Sequence, residues 1–85
     1  MKIVINDYVA KGFVFDDEGK LRSPMYFEKL SDNAKKLYRI MIESGDEEFS
    51  FEDIEKISQG RVNEIVSAIA ELSENDYVSV LGFEE

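Results

Sequence analysis

The segment that most constrains the fold begins at residue 49, where two helix signals follow each other across a turn. Residues 50–53 (SFED) match a capping box, and Phe49 and Ile54 have the spacing of a hydrophobic staple around it. The helix that starts there is short, because Ser-Gln-Gly at residues 58–60 favours a turn. Another amphipathic helix is predicted from about Arg61 to residue 73. The segment therefore predicts two helices joined by a tight turn.

Apolar periodicity predicts which helix faces point inward. An earlier helix starts at Ser31 or Asp32, either of which can cap it, and ends at Gly45, which tolerates the left-handed conformation. Its predicted inward residues are Ala34, Leu37, Tyr38 and Met41, with Ile40 and Ile42 at the edges. In the last helix, the predicted inward residues are Val62, Ile65, Val66, Ile69 and Leu72, which leaves Arg61, Asn63, Glu64, Ser67, Ala70 and Glu71 facing outward.

The N-terminal third of the chain has the composition of β-structure. Strands are predicted at Lys2–Ile5 and at residues 8–15, where Gly12 is a candidate bulge. A hairpin loop at residues 16–20 leads to a return strand that ends at Pro24. A last strand is predicted at residues 77–81 and is followed by residues 82–85. We expect this segment to complete the core and to pair with the last strand. The alternative is an exposed aromatic patch for a protein interface or a dimer, drawn from Tyr8, Phe13, Phe15, Tyr26 and Phe27.

These elements predict one α+β domain of 85 residues, with an N-terminal β segment (1–27) and a helical core (28–85). The order of elements over residues 27–83 resembles the winged helix-turn-helix family. Residues 49–80 (FSFEDIEKISQGRVNEIVSAIAELSENDYVSV) carry most of the resemblance, and residues 26–42 (YFEKLSDNAKKLYRIMI) are similar to the first helix of phage replication-initiator winged helices. The resemblance implies a helix-turn-helix at residues 51–72, with residues 61–72 as recognition helix. Because the chain ends soon after its last strand, we expect no complete wing.

The chain contains no cysteine and no histidine, which excludes several kinds of site. Disulfides, Cys/His zinc sites and Ser–His or Cys–His nucleophile pairs cannot be assembled. The spacing of the acidic residues does not match an EF-hand, so we expect no metal site. With these kinds of site excluded, we expect a non-catalytic protein without a cofactor. No apolar run approaches the roughly 20 residues of a membrane span, and no signal peptide is visible, so we expect a cytoplasmic protein (host cytoplasm, if phage-encoded).

Nineteen acidic and ten basic residues give a net charge of −9, which opposes nucleic-acid binding and favours a basic partner. Seven of the acids fall between residues 43 and 55. We predict that an acidic face engages a basic, nucleic-acid-handling protein, so that the chain acts as a regulator or inhibitor. Its size and charge resemble those of phage-encoded DNA-mimic and anti-CRISPR inhibitors, without a shared motif. The candidate residues are Asp46, Glu47, Glu48, Glu52, Asp53, Glu55, Glu64 and Glu71.

The alternative, which the winged-helix resemblance implies, is a DNA-binding transcription or replication regulator. Arg61 and Asn63 are suited to guanine and adenine edges, and Ser67 to a base or phosphate. Lys35, Lys36 and Arg39 share a face of the first helix, where they would contact the DNA backbone. The predicted recognition helix, however, carries more acidic than basic residues, which favours the protein-binding interpretation.

Overall fold

The computed structural model describes residues 1–82, which form three α-helices and two small antiparallel sheets. The helices are α1 (Asp32–Ser44), α2 (Phe51–Ser58) and α3 (Val62–Glu74), and a 3₁₀ helix covers Met25–Lys29. The strands are β1 (Lys2–Ile5), β2 (Val14–Phe15), β3 (Leu21–Arg22), β4 (Glu48–Ser50) and β5 (Val78–Leu81). The predicted α+β class is confirmed. Residues 83–85, which the sequence analysis places after the last strand, lie outside the described residues.

The N-terminal strand occupies the centre of the larger sheet, whose order is β4-β1-β5. Ile3 of β1 lies opposite Phe49 on one side and Val80 on the other, and both neighbours run antiparallel to it. The expectation that the N-terminal segment would pair with the last strand is therefore confirmed. Strand β4 was not predicted, because a three-residue strand is too short to show an alternating pattern of its own.

The predicted strand at residues 8–15 is wrong over most of its length. Residues 8–12 form turns, in which Asp7 Oδ1 accepts hydrogen bonds from the backbone N–H groups of Val9 and Ala10, each at 3.2 Å. Such local bonds compete with sheet formation for the same backbone groups. Gly12 has φ of +103° within these turns and is not part of a bulge. Only Val14–Phe15 forms a strand, which pairs with β3 in a separate hairpin.

The helix ends form at the predicted signals. Ser31 caps α1 by accepting a hydrogen bond from the Ala34 N–H, and Gly45 ends it with φ of +89°. The capping box of α2 is complete, since Ser50 and Asp53 each accept a bond from the other's backbone N–H, at 3.1 and 3.0 Å. In the turn after α2 the left-handed residue is Gln59, with φ of +55°, and not the adjacent glycine.

An aromatic cluster joins the N-terminal segment to the helices. Phe13, Phe27, Tyr38 and Tyr77 are buried, and their ring centroids lie 4.8–6.1 Å apart. This confirms that Phe13 and Phe27 complete the core. Phe15 and Tyr26 differ, because about half of each side chain is exposed (47% and 50%), and they keep the interface alternative open.

The predicted inward face of α3 is correct on one side and wrong on the other. Ile65, Ile69 and Leu72 are buried as expected. Val62 and Val66, also predicted to be inward, are each 51% exposed, whereas Ala68 is buried. The helix is rotated so that its buried arc extends through Ala68 towards α1, which leaves the opposite edge of the apolar stripe uncovered.

Candidate partner-binding surface

Five of the eight predicted acidic residues line three different clefts. Asp46 and Glu47 line a cleft between the end of α1 and the chain that follows β1, where Asp7 is a third carboxylate that the sequence analysis missed. Glu48 and Asp53 line a second cleft beside Met1 and Lys2. Glu64 borders a third, which lies between α1 and the turn that precedes α3.

Three of the predicted partner-binding acids have structural roles within the chain. The Asp53 carboxylate accepts the Ser50 N–H in the capping box, and this hydrogen bond lowers the pKa of Asp53. Glu71 accepts two hydrogen bonds from Ser31, which lower the pKa of Glu71 in the same way. Glu48 forms an ion pair with Lys2, at 3.3 Å. Substitution of Asp53 or Glu71 would therefore remove a hydrogen bond of the fold as well as any contact with a partner.

The other five acids keep their carboxylates available. No hydrogen bond or ion pair within residues 1–82 involves the side chains of Asp46, Glu47, Glu52, Glu55 and Glu64. Glu55 is half-buried and the other four are exposed. These residues are the part of the predicted acidic set that a cationic partner can reach without competition from an internal bond.

The residues predicted for DNA contact separate into two groups. On α1, Lys35 forms ion pairs with Glu28 and Asp32 at 3.2 and 3.6 Å, and the bond to Glu28 raises the pKa of Lys35. Arg39 donates to the Leu21 carbonyl at 2.6 Å and to the Ser23 hydroxyl at 3.3 Å. Two of the three predicted backbone-contacting cations are thus used within the chain.

The second group is accessible. Arg61, Asn63 and Ser67 are exposed at the start and along the outer side of α3, and Lys36 is exposed on α1. Lys36 and Glu64, which carry opposite charges, line the same small cleft. The accessible part of the predicted DNA surface therefore has mixed charge.

An apolar groove beside α3 is the main surface feature that the sequence analysis missed. Val62, Val66 and Ala70 are exposed at i, i+4 and i+8, so they form a stripe along one side of the helix. Next to this stripe lies a groove of about 390 Å³, with a mostly apolar lining. Its walls are Met1, Phe51, Val66, Ile69, Ala70, Ser73, Glu74 and Val80. The signal was the width of the apolar stripe, which exceeds what one buried helix face requires.

Among the described residues, the titratable groups with shifted pKa values are held in hydrogen bonds or buried in the core. Within residues 1–82, no cluster of three or more carboxylates is arranged to hold a metal ion. The most strongly perturbed titratable group, Tyr38, has its pKa raised by burial, yet its hydroxyl is enclosed in the aromatic cluster and cannot meet a substrate. In this part of the chain, no helix has both the length and the apolar composition needed to cross a membrane.

Comparison with known proteins does not identify a family. No family model matches the chain, and no curated protein or solved structure shows significant similarity to it.

Proposed function

We propose that the chain is a non-catalytic protein-binding regulator or inhibitor whose acidic surface engages a basic partner. The observation that carries this proposal is the surface of α3, the helix that the resemblance would assign to DNA. Residues 62–74 contain Glu64, Glu71 and Glu74 and no lysine or arginine. The helix exposes an apolar stripe beside its acids, whereas a helix that approaches phosphate usually carries several cations.

The charge of the whole chain supports the same conclusion. A net charge of −9 repels polyanions at long range and increases the rate at which a cationic protein associates. An apolar patch with polar residues around it is also the usual composition of a specific protein interface.

The second candidate, DNA binding by a winged helix, is favoured by one observation. Arg61, Asn63 and Ser67 are all exposed on or next to α3 and make no side-chain hydrogen bond within the described part of the chain. Against this candidate, Lys35 and Arg39 are engaged internally, so few cations are left to contact the phosphate backbone.

The acidic-surface proposal is tested by charge reversal at residues whose carboxylates make no hydrogen bond or ion pair within residues 1–82. We expect Glu47→Lys combined with Glu52→Lys to abolish capture of a basic protein from nuclease-treated lysate. The matched control is Asp17→Lys with Glu18→Lys, which changes the net charge equally but lies in the exposed hairpin loop. Circular dichroism checks that both variants fold. Equal capture by the Glu47/Glu52 variant and the unmodified chain would contradict the proposal.

The DNA alternative is tested with the same protein and duplex DNA. Specific DNA binding predicts a mobility shift that weakens steeply with salt and is lost in Arg61→Ala. The protein-binding proposal predicts no shift at low salt. A salt-dependent shift that requires Arg61 would replace it with the DNA alternative.

A further inference from the structure

We infer that the groove beside α3 is a docking site for a basic amphipathic helix of the partner, which inserts apolar side chains between Phe51 and Val66. This inference rests on the proposed function, because it specifies how a basic partner would be held. The groove opens where the interior between the sheet and α3 reaches the surface, since it is lined by both buried Ile69 and partly buried Val80. An inserted side chain would therefore extend the hydrophobic core.

The shape of the surface suits a helix. The exposed stripe from Val62 to Ala70 covers nine residues of α3, a rise of roughly 12 Å along the helix axis, or about two turns of a helix lying beside it. Ala70 and Ser73 have small side chains, so a neighbouring helix can approach closely there. The apolar face of an amphipathic helix has anchors at i, i+3, i+4 and i+7, which match a stripe of this length.

The charges around the groove determine which helix fits. Glu74 is part of the groove wall, and Glu48 and Asp53 line the adjoining cleft, which shares Met1 with the groove. Lys2 is paired with Glu48 and Asp53 accepts the Ser50 N–H, so Glu74 is the acid of this set that has no internal bond within residues 1–82. A partner helix with lysines or arginines beside its apolar face would place them near Glu74, with Glu48 and Asp53 adding negative potential beyond it. A second copy of the chain would instead bring another net charge of −9 and another row of α3 glutamates to the interface.

The binding test uses a defined probe in place of the unidentified partner. The probe is a labelled 18-residue peptide of leucine and lysine in a helical amphipathic pattern, and its comparison peptide has serine in place of every leucine, at equal charge. We expect the leucine peptide to bind in fluorescence anisotropy and to shift the amide NMR signals of Phe51, Val66, Ala70 and Val80. We expect the serine peptide to bind at least tenfold more weakly, since it lacks apolar anchors.

Two variants link binding to the groove. Val66→Ser should weaken binding of the leucine peptide about tenfold, because it removes apolar contact without changing charge. Its control is Val14→Ser in the distant hairpin, where valine is equally exposed (52% against 51%) and where we expect no effect. Ala70→Gln, which fills the groove from an exposed position, should also weaken binding. Thermal unfolding checks the fold of each variant.

The outcomes separate this inference from the proposed function. Equal binding of the serine and leucine peptides would overturn the groove site while leaving an electrostatic acidic surface intact. NMR shifts confined to the hairpin and the 3₁₀ helix, around Phe15 and Tyr26, would also overturn it. Concentration-dependent dimerisation that Val66→Ser abolishes would assign the groove to a second copy. If neither peptide binds at low salt, the groove and the acidic surface both fail as sites for a cationic helix.

Discussion

Glu71 on α3 accepts two hydrogen bonds from Ser31, one from its backbone N–H at 2.8 Å and one from its hydroxyl at 2.6 Å. The Ser31 hydroxyl oxygen itself accepts the Ala34 N–H and so caps α1. One carboxylate thus fixes the residue that caps α1 to the last turn of α3, across forty positions of sequence. Glu71, which the sequence analysis assigned to partner binding, therefore has a structural role within the chain.

Glu71→Ala is expected to destabilise the fold while leaving a cationic partner's binding largely unchanged. Loss of two hydrogen bonds to a charged, solvent-accessible acceptor should lower the free energy of unfolding by about 1 kcal/mol, which is about 4–8 °C in Tm for a domain of this size. Urea and thermal unfolding followed by circular dichroism measure the effect. Glu64→Ala, on the same helix and without an internal hydrogen bond, is the control and should cost less, since it removes only the interaction of a first-turn carboxylate with the helix dipole. Equal stability of the two variants would contradict the structural role of Glu71.

Stability should fall in acid because several carboxylates are bonded only when ionised. The pKa values of Glu71, Asp53 and Asp16 are lowered in the folded state by hydrogen bonds from Ser31, Ser50 and Lys20, respectively. These carboxylates therefore contribute fully to the free energy of unfolding above their ordinary pKa values, 4.5 for glutamate and 3.8 for aspartate. The contribution is lost as the pH falls through their lower pKa values in the folded state. Urea unfolding between pH 7 and pH 2 should show this decline. A shallower decline is expected in Glu71→Ala; an identical slope would argue against ionised Glu71 as acceptor.

Tyr38→Phe is expected to stabilise the protein. The Tyr38 hydroxyl is fully buried in the aromatic cluster and has no hydrogen-bond partner within residues 1–82. Removing a buried, unpaired hydroxyl should raise the free energy of unfolding by about 1 kcal/mol. Tyr26→Phe is the matched control and should lower the free energy of unfolding, since the Tyr26 hydroxyl donates a hydrogen bond to the Lys11 carbonyl. Chemical denaturation of both variants decides the prediction, and a Tyr38→Phe protein less stable than the parent would refute it.

The turn between α2 and α3 should gain stability when its backbone strain is removed. Gln59 has φ of +55°, a conformation that costs a residue with a side chain about 1 kcal/mol relative to glycine. We therefore expect Gln59→Gly to be stabilising. Gly60→Ala should be tolerated, because an added Cβ at Gly60 would be 3.6 Å from its nearest neighbours and the backbone there is not left-handed. Thermal unfolding compares the two; a marked loss in Gly60→Ala would show that the turn needs glycine at residue 60.

The sequence by itself determined where the helices begin and end. Ser31, Gly45 and the Ser50–Asp53 capping box act through hydrogen bonds to backbone groups within four residues, so their effect can be inferred without knowledge of the rest of the chain. The α+β class followed from the same local signals together with the apolar periodicity. The same reasoning failed at residues 8–12, where the side chain of Asp7 stabilises turns in a segment that has strand composition.

Tertiary structure alone decided which surfaces and carboxylates are available. Whether Val66 is buried depends on which element covers that edge of α3, and whether Glu71 is free depends on Ser31, which is distant in sequence. Strand β4 exists because β1 lies beside it and supplies hydrogen bonds that three residues cannot provide for themselves. Periodicity gives the direction in which a side chain points, but burial and pairing depend on what the fold places opposite it.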